Sequence, residues 1–160
     1  MSTVKQKMTD LDWLEAFRQL IREHIPLSNA MQLDILGYRD NYLTARAPLE
    51  PNINDKGSAF GGSQAALMSI VGWGVVWLET RKANLDCDIV IHKGEITWLL
   101  PLRDEILIQC QVPDVDAMRA FKRTFAKRGK AALKLYVTTS DGENITSEFN
   151  CRYVAIKKDN

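Results

Sequence analysis

The sequence predicts an α+β protein in which a curved antiparallel sheet wraps around one long buried helix. Strand-like segments follow one another instead of alternating strictly with helices, which favours an antiparallel sheet. Residues 57–78 carry no charge, and thirteen of these 22 residues are apolar. A helix that is apolar on every side lies either inside a protein or in a membrane. Because no second segment of this kind exists and its surroundings read as amphipathic sheet, we expect it inside the protein.

Length and composition indicate one domain spanning residues 1–160, with a core over about residues 10–156. Twenty-one basic and twenty acidic residues leave a net charge of +1, which argues against a surface designed as a whole for nucleic acid. The three cysteines are far apart and form no Cys-x-x-Cys pair, so neither structural zinc nor a disulfide framework is expected. No apolar stretch follows the amino-terminal lysines, so we expect no signal peptide and a cytoplasmic protein.

The elements before the uncharged helix follow from local patterns. A capping-box pattern at Thr9 begins a helix, and apolar residues then recur at helical spacing until Pro26 ends the run. These residues, which predict one packed helix face, are Leu14, Phe17, Ile21 and Ile25. Residues 31–35 and 42–47 alternate with period two on either side of a turn at residues 39–41. This arrangement predicts a β-hairpin.

Further strands are predicted after the uncharged helix. They are recognised by β-branched residues or by alternation of apolar and polar side chains, and cover residues 88–100, 106–112, 133–137 and 148–155. The first of them ends at Pro101. Asp141-Gly142 separates the last two and is a strong hairpin signal. Together with the first hairpin, these segments supply the antiparallel sheet.

The loop that leads into the uncharged helix carries a recognisable motif. Residues 51–63 read PNINDKGSAFGGS, which resembles the Asn-x-x-Gly-x-x-His-Gly-Gly signature of hot-dog acyl-CoA thioesterases of the phenylacetate-pathway type. The chain resembles more closely a subgroup similar to the carboxy-terminal domain of the YiiD protein. In that subgroup Phe precedes the paired glycines and a Gly-Trp-Gly follows, as residues 72–74 do here. The stretch from Trp98 to Pro101 also resembles a hot-dog strand that ends at a proline.

The resemblance covers residues 10–156 and implies a hot-dog fold, acyl-thioester chemistry and specific catalytic residues. By family match, Gly61 supplies the backbone N–H that stabilises the oxyanion, and Asn54 holds the thioester or the attacking water. The chemistry is reasonable, because the start of a helix offers unpaired N–H donors and the positive end of the helix dipole. The alternatives are that the glycines only allow close packing and that Asn54 is an ordinary turn residue.

Other residues around the motif are candidates for contact with the substrate. They are selected because they lie in the polar loop, at the helix start or along the helix: Asn52, Asp55, Phe60, Gly62, Ser63, Ser69 and Trp73. Ser63 has no Gly-x-Ser-x-Gly context, so a serine hydrolase is disfavoured. Neither His24 nor His92 has an acidic or metal-binding companion in the sequence. We therefore expect no metal and no cofactor.

Two positions depart from the thioesterase pattern. Phe60 stands where the family has histidine, and Ser69 stands where thioesterases of this type carry an acidic general base. A serine without a base beside it is a poor proton acceptor. Hydrolysis would then need Asp55 or a group from a neighbouring subunit to activate water.

Three functions remain open at this stage. The first is a thioesterase acting on acyl-CoA or acyl carrier protein. The second, which needs no base, is a malonyl-acyl-carrier-protein decarboxylase that supports the initiation of fatty-acid synthesis. The third is a non-catalytic acyl-thioester binding module, which would leave every thioester intact.

Residues 114–128 predict a second helix, capped by Asp114 or Asp116 and ended by Gly129. Seven cations lie within sixteen residues from position 119 to position 134. Four of them are candidates for docking an acidic carrier protein or the phosphates of CoA: Arg119, Lys122, Arg123 and Lys127. The alternative is a solvated helix face. Nucleic acid is disfavoured because no binding motif accompanies the charges. The resemblance also implies a homodimer or a larger homo-oligomer.

Overall fold

The computed structural model describes residues 8 to 159. Its helices are α1 (Asp10–His24), α2 (Pro26–Ala30), α3 (Gly61–Lys82) and α4 (Val115–Arg128), with one 3₁₀ turn at Glu50–Asn52. Its strands are β1 (Asp34–Arg39), β2 (Tyr42–Ala47), β3 (Cys87–Trp98), β4 (Ile106–Gln111), β5 (Lys130–Ser140) and β6 (Ile145–Lys157). The predicted α+β class is confirmed.

The six strands form one antiparallel sheet in the order β1-β2-β4-β5-β6-β3. Apolar side chains alternate along β6 and point to the inner face, where Phe149, Tyr153 and Ala155 are buried. The helix α3 packs against this face and contacts strands β2 to β6. The predicted arrangement of a curved sheet around one helix is therefore confirmed.

The helix α3 is buried on most of its circumference, which explains its uncharged sequence. Val71, Val75 and Leu78 are fully buried. Gly74 allows close approach, because a Cβ there would lie 2.5 Å from the Phe17 ring. By length and composition this helix could also cross a membrane, but 61% of its apolar window is buried within the fold. It is the core helix of the sheet.

The first helix forms as predicted and ends at His24, before Pro26. The Thr9 side chain accepts a hydrogen bond from Asp12 N, and Leu14, Phe17 and Ile21 are buried. Pro26 does not lead into a strand, because it begins the short helix α2, where a proline at the first turn costs no hydrogen bond. The strand predicted at residues 31–35 consequently starts later, at Asp34.

Turn positions agree with their sequence signals. Asp40 and Asn41 have φ of 53° and 62°, the left-handed pair of a two-residue hairpin turn. Asp114 caps α4 through Ala117 N, and Gly129 ends it with φ of 67°. The helix within the uncharged segment begins at Gly61, four residues after the segment itself begins at Gly57. Residues 57–60 are instead non-helical and lead the chain to the start of α3.

Candidate functional site

The start of α3 has unpaired backbone donors. Phe60 is the N-cap with extended backbone (φ −63°, ψ 130°), and its side chain makes no capping hydrogen bond. The first helical bond runs from Gln64 N to Phe60 O at 3.0 Å. The N–H groups of residues 61–63 donate to no atom of the described chain. Such donors at the positive end of a 22-residue helix favour a negative charge.

The segment before α3 is held on both sides by main-chain bonds. Ala59 N donates to Leu102 O and Phe60 N donates to Asn52 O, both at 2.7 Å. Asn52 is 1% exposed, and its Nδ2 donates to Met31 O at 2.9 Å and to Pro48 O at 2.8 Å. The Asn52 side chain thus holds the loop from the protein interior and does not reach the surface where a substrate would bind.

Asn54 is engaged in its own loop. Its Oδ1 accepts hydrogen bonds from Lys56 N at 2.9 Å and Ser58 N at 3.1 Å, and its Nδ2 donates to Ser58 Oγ at 3.0 Å. The second Nδ2 hydrogen has no partner among the described residues. The geometry therefore agrees with a turn asparagine and leaves one amide N–H for a ligand.

Trp98 lines one side of the candidate site, although it was not among the site residues predicted from the sequence. A Cβ on Gly61 would lie 3.2 Å from Trp98 Nε1, so the indole ring covers the first residue of α3. Trp98 and Phe60 remain 53% and 55% exposed. The signal in the sequence was the tryptophan at the end of the strand before Pro101. Its placement beside Gly61 depends on the pairing of β3 with β6.

The only carboxylate among residues 54–69 is Asp55, which lies in the exposed loop and not on the helix where Ser69 stands. Ser69 Oγ donates to Ala65 O in its own helix at 2.7 Å, and its backbone oxygen accepts from Tyr153 Oη at 2.6 Å. Asp55 is exposed and pairs with Lys56 at 2.9 Å. Within this segment, no buried side chain takes the place of the histidine and the acid that Phe60 and Ser69 replace.

The remaining candidate residues lie at two different distances from the start of α3. Gly62 and Ser63 belong to the first turn with Gly61. Trp73 lies twelve residues further, about 18 Å along the helix axis. Its Nε1 donates to Ile89 O at 3.3 Å, and its ring packs on Phe17. Within one protomer the structure does not bring Trp73 to the start of α3.

None of the cysteines is suited to nucleophilic chemistry. Cys87, Cys110 and Cys151 are free and buried. Burial raises the pKa of the Cys110 thiol well above its usual range and raises the pKa of Cys151 to about 12. Both are therefore thiols, not thiolates, at neutral pH.

The cations of α4 lie far from Gly61 within one protomer. Arg119 and Lys122 line a cleft of about 530 Å³ together with Arg39 and Lys82. Lys82 is the last residue of α3, about 30 Å from its start. All four docking candidates on α4 are exposed. The structure therefore separates the cationic surface from the unpaired donors.

Comparison with known proteins agrees with this geometry. A family model described as "Putative thioesterase (yiiD_Cterm)" matches residues 14–157. The chain is similar to a solved structure described as a "putative thioesterase" from Shewanella oneidensis, with 33% identity, a TM-score of 0.81 and coverage of 91% of this chain and 98% of that one. It is also similar to a protein of unknown function from Chlorobaculum tepidum, with 30% identity, a TM-score of 0.90 and coverage of 95% and 99%.

More distant structures share the fold. The E. coli PaaI protein, from the phenylacetic acid degradation operon, has 11% identity and a TM-score of 0.64, covering 92% of this chain and 96% of that one. The family match spans nearly all of the described chain, including the glycine pair and the strands around α3. The chain is thus a hot-dog protein and belongs to the YiiD carboxy-terminal-domain family of thioesterases.

Proposed function

We propose that the protein hydrolyses acyl thioesters carried by CoA or by an acyl carrier protein. The observation that supports this most directly is the set of unpaired N–H groups at residues 61–63. Water attacks the thioester carbonyl carbon, and the negative charge on its oxygen is stabilised by the Gly61 N–H and the helix dipole. The C–S bond then breaks, the thiol leaves with a proton, and the free acid is released.

A panel of thioesters tests this proposal. Acetyl, malonyl, medium-chain and long-chain acyl groups on both carriers are incubated with the protein, and the products are identified by mass spectrometry. Hydrolysis yields free acid and free thiol in equal amounts. If every thioester bound but stayed intact, the protein would be a binding module and the proposal would fail.

Decarboxylation of a malonyl thioester is a second candidate, supported by Ser69, which stands where thioesterases of this type carry an acidic base and whose hydroxyl donates to Ala65 O. The bond between the carboxylate and the α-carbon breaks, CO₂ leaves, and the thioester oxygen carries the enolate charge. The α-carbon then takes a proton from water to give an acetyl thioester. This reaction uses the same oxyanion donor and needs no activated water. In the panel it yields acetyl-carrier, whereas hydrolysis yields free malonate.

Asn54 is proposed to hold the thioester through its free Nδ2 hydrogen, and two substitutions separate this role from loop support. Asn54→Asp keeps the oxygen that accepts from Lys56 N and Ser58 N but removes the amide donor. We expect both Asn54→Asp and Asn54→Ala to lower kcat about 10²- to 10³-fold, the typical effect of losing one charge-stabilising donor. If Asn54→Asp retained full turnover, Asn54 would serve only the loop.

The exposed cations of α4 are proposed to dock the acidic carrier. Arg123 and Lys127 have no ion-pair partner in the described part of the chain, so their charge is available to a ligand. Electrostatic docking of exposed charges is screened by salt. The KM for carrier protein should therefore rise with ionic strength, and a KM insensitive to salt would contradict electrostatic docking.

The edge strand β3 is proposed to pair with its copy in a homodimer. This twelve-residue strand pairs only with β6, and an unpaired edge of this length invites another strand. Val90, Ile91 and Trp98 are about half exposed along it. Ile91 and Trp98 stand opposite the buried residues Tyr153 and Ser147, so their side chains lie on the inner face. Trp98 lies beside Gly61 at the start of α3, whereas Ile91 lies further along the helix, opposite the tyrosine that bonds Ser69 O.

Substituting Ile91→Lys tests the dimer. The side chain is 49% exposed in one protomer, so folding should change little, whereas a buried unpaired charge at the interface costs about 3 kcal/mol. We expect the dimer dissociation constant to rise more than about 100-fold by analytical ultracentrifugation, with loss of turnover. Ile156→Lys on β6, where the side chain is 43% exposed, is the matched control and should remain dimeric. A fully active monomer would contradict the proposal.

A further inference from the structure

Gln64 is a buried polar residue in the first turn of the otherwise apolar helix α3. It is 3% exposed. Its Nε2 donates to Ala59 O at 3.0 Å, and its Oε1 accepts from Thr139 Oγ1 at 3.2 Å and Ser147 Oγ at 3.1 Å. An amide buried without such partners would be costly, so this set of bonds accounts for a glutamine at this position.

The partners of Gln64 form a polar cluster between α3 and the β5–β6 pair. Thr139, Thr146 and Ser147 are fully buried, and Thr139 Oγ1 also lies 2.9 Å from Thr146 Oγ1 and within hydrogen-bond distance of Ser147 Oγ. Each hydroxyl carries one hydrogen, so the three hydrogens are shared among these contacts and those to Gln64 Oε1. A buried hydrogen-bond network is rigid when every member is satisfied. The cluster therefore ties the first turn of α3 to two central strands of the sheet at a defined position.

The cluster reaches both walls of the oxyanion site. On one side, Gln64 holds the residue before the N-cap through Ala59 O, while its own backbone N–H holds Phe60 O. On the other side, Ser147 stands directly opposite Trp98 in the β3–β6 pair, and Trp98 covers Gly61. The backbone of Ala59 and Phe60 is thus held by Gln64, and the same network includes the strand position that pairs with Trp98.

We infer that Gln64 is a positioning residue that sets the direction of the unpaired N–H groups at residues 61–63. This inference rests on the proposed function of those groups as oxyanion donors. Gln64 itself is enclosed by protein atoms and acts through Ala59 and Phe60. A displacement of about 1 Å between a catalytic donor and its target costs as much as 100-fold in rate.

Two substitutions at Gln64 and one control test the inference. Gln64→Leu removes both the donor and the acceptor. The control is Thr80→Val at the other end of α3, where a fully buried hydroxyl bonds to Val76 O and Trp77 O of its own helix and lies beside the Cys87 thiol. We expect Gln64→Leu to lower kcat roughly 10- to 100-fold with KM within about twofold, and Thr80→Val to leave both unchanged. An equal fall in kcat for the two variants, or none in Gln64→Leu, would overturn the inference.

Gln64→Glu isolates the donor. A carboxylate still accepts from the two hydroxyls but cannot donate to Ala59 O, whereas the protonated carboxyl can. Burial raises the pKa of a carboxyl at this position, so the ratio of its kcat to that of the wild type should be highest where the carboxyl is protonated and fall as it ionises. Infrared spectroscopy follows the ionisation, and circular dichroism checks the folded fraction at each pH. A ratio that does not change while the carboxyl ionises would contradict the donor role.

A measurement that needs no turnover separates the positioning role of Gln64 from the proposed function. If the wild type processed no thioester, the proposed function would fail, and the positioning role would be judged by deuterium uptake at the amides of residues 59–63. Gln64→Leu should increase that uptake above the wild type and above Thr80→Val. Equal uptake in all three proteins would refute the positioning role itself.

Discussion

A Gly61→Pro variant is expected to lose about 10²- to 10³-fold in kcat while keeping its fold. Proline removes the backbone N–H, and loss of one oxyanion donor typically costs this much. The helix should tolerate the change, because Gly61 is the first helical position and Phe60 already has the extended backbone that precedes proline. Kinetics on the best thioester of the panel and thermal unfolding measure the two effects.

Gly61→Ala is the control for the added bulk. Both variants carry a Cβ that meets the Trp98 indole at about 3.2 Å, and the half-exposed ring can shift slightly in either. Only the proline variant lacks the N–H and places its Cδ where that hydrogen pointed, so the ratio of the two kcat values reports the donor and access to it, without the effect of the Cβ. If Gly61→Pro stayed within tenfold of Gly61→Ala, the oxyanion would have to be bound elsewhere.

A Phe17→Ala variant should lower the free energy of unfolding by about 3–5 kcal/mol. Phe17 is fully buried and packs on Trp73 and Trp77, with ring centroids 5.8 and 5.7 Å away. Removing the ring leaves a cavity between α1 and α3, since neither helix can collapse into it without moving the sheet. Urea unfolding monitored by circular dichroism measures the loss.

The same ring makes the effect of Gly74→Ala depend on Phe17. In the wild type, the new Cβ would lie 2.5 Å from Phe17 Cζ and 2.9 Å from Leu43 Cδ2, so overpacking should cost about 1–3 kcal/mol. In a Phe17→Ala background the Cβ enters the cavity and the better helix propensity of alanine should stabilise the protein by up to about 1 kcal/mol. Additive effects in this cycle would show that the two residues are not coupled.

Periodicity and turn chemistry account for most of the fold that could be predicted. The uncharged run identified α3, and the alternation around Leu43, Phe149 and Tyr153 identified strands whose inward residues are buried. Pro26 ends the first helix as predicted, and the element missed was the short helix α2 that it begins, because a proline ends a preceding helix and starts a following one equally well. Nothing local distinguishes the two outcomes.

Part of the candidate site could also be predicted from the sequence. The motif from Asn54 to Gly62 identified the loop and the helix start, and the missing histidine and acid were evident from Phe60 and Ser69. The motif and its missing histidine and acid depend only on which residues occupy one continuous segment and on their spacing. Folding does not change that order or spacing.

Gln64 and Trp98 are the residues that only the tertiary structure assigns to the site. The hydroxyls of Thr139 and Ser147, which satisfy Gln64, are 75 and 83 residues away in the chain, and Trp98 reaches Gly61 only through its pairing opposite Ser147. The sequence alone predicted a hot-dog chain with backbone N–H donors at the start of its central helix. The sheet decided what orients and covers those donors, because contacts across strands depend on register and on packing between distant segments, not on any local pattern.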